Sequence, residues 1–188
     1  QKEKGLKQVK GGISFIENER YIIVVGHVLW VFDRELNFLW KTKEVKNVVK
    51  AAFITEHEVL FDANGFYGVL SLPERAILWK ESAPKKRSLF GWRFAICKDR
   101  RYAYDYFGKG LDNYLVRIPL IGTHTAEGHC LRHDFGAIHD ICCDGEDNVL
   151  LLEAGALWLH GEWLVQTGVL FPYYDTYYCQ SEPPNAIH

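Results

Sequence analysis

The 188-residue chain contains no methionine and only six prolines. Without an initiator, the expectation is a processed N-terminus or a piece of a longer protein. No apolar run approaches the roughly 18 residues of a membrane-spanning helix, so no membrane partner is expected. Gln1 to Lys10 is polar and basic with no apolar stretch behind it, unlike a secretory leader. Neither charge dominates: 22 Lys and Arg against 24 Asp and Glu leave a net charge of −2. A field that gathers nucleic acid is therefore not expected. Lys85-Lys86-Arg87 and Arg100-Arg101 read as solvated turns. Five cysteines without a regular spacing, and no Asn-X-Ser/Thr sequon, point away from a disulfide framework and toward a reducing, cytoplasmic setting. Several catalytic patterns are also missing. There is no Gly-X-Ser-X-Gly, no phosphate loop and no His-Glu-X-X-His. Gly108-Lys109-Gly110 lacks the third glycine of a dinucleotide fingerprint, and Asp144 to Asp147 lacks calcium-loop spacing.

What the chain does have is a repeat. Gly26 to Lys41, GHVLWVFDRELNFLWK, and Gly65 to Lys80, GFYGVLSLPERAILWK, share one plan. Each has a glycine turn, an alternating strand, a charged turn and a second strand ending Leu-Trp-Lys. Trp40 and Trp79 mark the same point, 39 residues apart. Short apolar or alternating runs separated by polar turns continue to Gln166, and no segment longer than a turn has helical periodicity. Asp144-Gly145-Glu146-Asp147-Asn148 is the clearest hairpin signal. Phe15, Phe53, Phe94 and Ile141 head successive units, with spacings of 38, 41 and 47 residues. Four strands at such a period predict propeller blades.

The predicted fold is all-β, a β-propeller-like array of about four four-stranded blades, incomplete or completed by oligomerisation. The units span about 13–50, 51–91, 92–136 and 137–178. Residues 1–12 are an N-terminal arm or closing strand, and 179–188 a flexible tail. Val28 to Asp33 with Leu39-Trp40-Lys41, and Leu78-Trp79-Lys80, resemble the repeats of the quinoprotein-like β-propeller superfamily, and the fourth unit is closer to WD-like blades. The resemblance covers roughly residues 13–166 and implies architecture only. The chain lacks the glycine-rich sequence of cofactor-binding quinoproteins, and its vicinal pair Cys142-Cys143 lies among different residues, so no cofactor is expected.

Chemistry-bearing residues concentrate in His124 to Cys143, which holds four of the eight histidines and three of the five cysteines. His129, His133, His139 and Cys142 form a candidate zinc set, because a tetrahedral site needs three or four nitrogen or thiolate ligands. Their spacing matches no established zinc signature, and partly buried strand residues are the plainer reading. In propeller topology His133, Asp134, His139 and Asp140 fall near the channel mouth, where a partner could dock or an acid–base pair could act. Trp92 follows the basic link, and Tyr173, Tyr174 and Tyr177 belong to an aromatic segment suited to an interface. The other tryptophans read as packing residues. Cys142 and Cys143, being adjacent, should face opposite sides of a strand. The expected function is a non-enzymatic scaffold that presents a propeller face to a protein partner. The alternatives are a metal-binding or hydrolase-like protein using the His/Cys cluster, and a homodimer completing the propeller.

Overall fold

Alternating β-branched and aromatic residues bounded by Asn, Asp and Gly turns fold into strands, because period-two side chains can cover both faces of a sheet. The computed structural model describes residues 14–63, 65–83, 89–90, 93–109, 112–130, 138–143, 149–153, 156–159 and 162–166. All regular structure among them is β, with 17 strands in four antiparallel sheets whose main paths run up and down in sequence order, β9 alone pairing out of order with β11. The predicted all-β array thus forms, with three four-stranded sheets and one that gains a fifth strand. The chain divides into two compact units, 1–83 and 84–188.

The first unit holds two sheets. β1 (Ser14–Glu17), β2 (Tyr21–Val25), β3 (Leu29–Asp33) and β4 (Phe38–Lys41) make one. β5 (Val48–Phe53), β6 (Glu58–Ala63), β7 (Phe66–Ser71) and β8 (Ala76–Ser82) make the other. One face of each sheet enters a shared core of Ile23, Val25, Leu29, Val31, Val59, Phe61, Ala63 and Leu70, with Trp40 and Phe53 packed against it. The repeat seen in sequence extends to finer features. Leu36 and Arg75, 39 residues apart, both adopt positive φ in the turn before the last strand. The ladder then shifts between Val31 and Phe32 and between Val69 and Leu70, leaving Leu39 and Leu78 as bulge residues. That explains why these two leucines are exposed, while the tryptophan after each returns to register opposite a valine.

The second unit holds β9 (Leu89–Phe90), β10 (Ala95–Ile96), β11 (Tyr102–Lys109), β12 (Asp112–Pro119) and β13 (Glu127–Cys130) in one sheet. β14 (Ile138–Cys143), β15 (Val149–Glu153), β16 (Ala156–Leu159) and β17 (Glu162–Gln166) make the next. β11 and β12 reach as far as Lys109 and Asp112. Phe107 and Tyr114 stack across the pair, centroids 4.9 Å apart and planes 6° from parallel, and the ladder continues to Lys109 opposite Asp112. This lengthened β11 outruns the short β10, and β9 pairs with the remainder, Phe90 opposite Phe107.

Candidate functional site: an aromatic sheet face and a thiol-bearing seam

Cross-strand partners share a face, so the register defines what each side of a sheet presents. In the first sheet Phe15 pairs with Val24, Val24 with Trp30 and Trp30 with Lys41; the next row runs Glu17, Ile22, Phe32, Phe38. This face is opposite the one that enters the core. Phe15 is 66% exposed and Phe38 52%, while Ile22, Val24, Trp30 and Phe32 are half-buried. Phe38 holds the aromatic group together, its ring 5.7 Å from both Trp30 and Phe32. Lys41 Nζ lies 4.4 Å from the Trp30 ring centroid, a cation held on an aromatic face. Glu17 accepts from Arg34 at 2.6 Å at the rim. Trp30 is therefore part of an outward face and not of the core, whereas Trp40 packs as expected.

The second feature lies within the second unit, where the first strands of two successive sheets, β10 and β14, run beside each other. Arg93 and Asp140 form an ion pair of 2.8 Å across them. Asp140 also accepts the Ile141 amide at 2.8 Å. At the strand ends Cys97 Sγ and Cys143 Sγ are 3.6 Å apart, and neither residue is in a disulfide. Cys97 is 2% exposed, Cys143 half-buried and Cys142 exposed, so the vicinal cysteines do face opposite ways. Burial, then the charge of Cys97 in its thiolate form, pushes the nearby Tyr104 phenol above its usual range, Arg117 opposing. A hydrogen bond to Glu127 at 2.6 Å raises the Arg117 guanidinium further, so it is a permanent cation.

Of the sequence-derived candidates, Asp140 is fixed by the ion pair with Arg93, and Cys142 lies on β14 opposite Leu150. His139 sits where the β14 register shifts, between Ile138 and Asp140. His129 is on β13 opposite Leu115. His133, Asp134, Trp92, Tyr173, Tyr174 and Tyr177 lie outside the described residues. His124 Nδ1 is 3.1 Å from the Pro119 carbonyl, a loop-fixing contact. Among the described residues, no group of three or more His, Cys, Asp or Glu side chains is placed to hold a metal ion. Cys97 was not singled out from the sequence, because its relation to Cys143 depends on two strands 46 residues apart lying side by side.

No protein-family model matches the sequence, and no curated protein does. Solved structures do resemble it. The Myceliophteria thermophila Cps50 (Swd1) β-propeller domain superposes with a TM-score of 0.60 at 10% identity, over 85% of this chain and 54% of that one. The WD40 β-propeller domain of Doa1 gives 0.58 at 9% identity, over 75% and 46%. KlAtg21, in complex with the coiled coil of AgAtg16, gives 0.56 at 10% identity, over 79% and 52%. The architecture is that of a β-propeller. Each sheet is a blade with a four-strand path that starts at β1, β5, β10 or β14, β9 being an addition to the third, and the chain spans about half the length of the solved propellers it matches.

Proposed function

We propose that the chain is a non-enzymatic binding scaffold that presents a blade face to a protein partner. The observation that carries this reading is the outward aromatic face of the first blade. Phe15, Trp30, Phe32 and Phe38 leave large apolar surface in water beside a cationic Lys41. Aromatic side chains bury much area with few torsions to freeze, and grouped exposure of this kind marks interaction surfaces. The partner suited to it is an apolar protein surface carrying a carboxylate to meet Lys41. A similar fold engages a coiled coil in the KlAtg21 complex, which supports the class of function without naming this chain's partner.

The test compares proteins captured from a lysate by the wild-type chain, by Phe38→Glu and Phe15→Glu, and by the exposed-site control Ile121→Glu. A captured protein is then purified and titrated against all four by calorimetry. The expected result is direct binding weakened about 30-fold or more by either phenylalanine change, the size of an interface hot spot, and unaltered by the control. Equal binding by all four forms would overturn the reading, as would finding that only a second copy of the chain is retained.

A further inference from the structure

We propose that Cys97 and Cys143 form a redox-active dithiol that a hydroperoxide closes into a disulfide, tying the third blade to the fourth. The geometry carries the proposal. The two sulfurs are 3.6 Å apart, in direct contact, and formation of the bond needs an approach of roughly 1.5 Å. They occupy corresponding places in successive blades. Cys143 ends β14, and Cys97 directly follows β10, opening the turn closed by its carbonyl accepting the Arg100 amide at 2.9 Å.

The first unit shows what this place in the fold does. There the corresponding turns of the first two blades are tied by ordinary polar contacts. Arg20 meets Glu56 at 2.5 Å, and Asn18 Nδ2 donates to the Glu56 carbonyl at 3.0 Å. In the second unit the corresponding tie is a pair of thiols. Those polar contacts do not depend on oxidation state, whereas a dithiol holds or releases according to it.

Exposure assigns the two roles. The half-buried Cys143 is the sulfur a small peroxide reaches, and the 2%-exposed Cys97 is the one that resolves. The Cys143 thiolate attacks one peroxide oxygen and the O–O bond breaks. The departing oxygen takes the electron pair and a proton and leaves as water or an alcohol, and Cys143 becomes a sulfenic acid. The Cys97 sulfur then attacks the Cys143 sulfur, giving up its proton, and the sulfenic oxygen departs as water. In sum, two thiols and one hydroperoxide give one disulfide, one alcohol or water, and one further water. Two equivalents of a small thiol reduce the bond, returning both cysteines to thiols and becoming a disulfide themselves. Cys142, on the opposite face of β14, is not aimed at either sulfur. The neighbouring Tyr104 phenol stays neutral where a thiolate forms, so it adds no repelling charge.

The full chain, reduced and freed of reductant, is exposed to a few equivalents of hydrogen peroxide and its peptides are mapped by mass. The expected product joins the peptide bearing Cys97 to that bearing Cys143 and is two hydrogens lighter than their sum. The melting temperature rises on the order of 5 °C, since closing a loop of this length restricts the unfolded chain, and falls back with dithiothreitol. Cys142→Ser retains both effects, and Cys97→Ala and Cys143→Ser lose them. The wild-type map decides the matter even if a variant folds poorly. Oxidation that stops at Cys142, a Cys142–Cys143 bond, or a Cys97 that stays reduced would overturn the proposal.

Discussion

A Cβ placed on Gly68 would lie 2.5 Å from Phe61 Cζ and 2.8 Å from the Trp79 carbonyl oxygen. Neither neighbour can yield easily. Phe61 is fully buried in the shared core, and the carbonyl belongs to the backbone of β8. Replacing glycine by alanine in a strand ordinarily stabilises by restricting the unfolded chain. Here overpacking prevails, and Gly68→Ala is expected to cost about 2 kcal/mol, read as a lower urea midpoint at unchanged slope. A neutral or stabilising change would show that the β7–β8 pair can part at this point. In sequence Gly68 was only one small residue inside an alternating run, and its tightness exists only once Phe61 is opposite it. Lys50 was illegible for the same reason. In sequence it is one lysine among many, yet in the fold it is buried in β5 at the position opposite the buried Asp62.

The strands themselves were legible where alternation and turn chemistry agree. Tyr21–Val25, Phe38–Lys41, Val149–Glu153 and Ala156–Leu159 fall where their apolar runs begin and end. The repeated bulges at Leu39 and Leu78 were not, because a leucine looks the same in a ladder and in a bulge. The β3–β4 turn shows how an element end is held and yields a pH prediction. Asp33 accepts the Asn37 amide at 2.8 Å and its side-chain nitrogen at 2.9 Å, spanning Leu36 at φ 65°. The side-chain bond from Asn37 is the main cause that lowers the Asp33 carboxyl below its usual range. A carboxyl lowered in the folded state stabilises above its unfolded pKa, and that contribution disappears as the pH falls through the folded value. Wild type and Asp33→Ala should therefore differ in urea midpoint at neutral pH and converge below the carboxylate range. A gap that stays constant into acid would mean that the ionised carboxylate plays no part in the turn.

Propellers are built from blades that cannot bury both faces alone, so their stability resides between sheets as much as within them. In the first unit this is concrete. β1 and β2 lie against β5, and Ile23, Val25, Leu29 and Val31 from one blade meet Val59, Phe61 and Leu70 from the other. Phe61 is fully buried among them, and Phe61→Ala should cost about 3–5 kcal/mol, since the cavity left between two sheets collapses poorly. How that loss is distributed distinguishes a shared core from two adjoining ones. Native-state amide exchange at low denaturant should show β2 and β3 losing protection together with β6 and β7, although the substitution lies only in the second blade. Loss confined to β5–β8 would mean that each blade holds its own stability. The outward aromatic face of β1–β4 would then be a surface on an independent sheet and not the outer side of a cooperative pair.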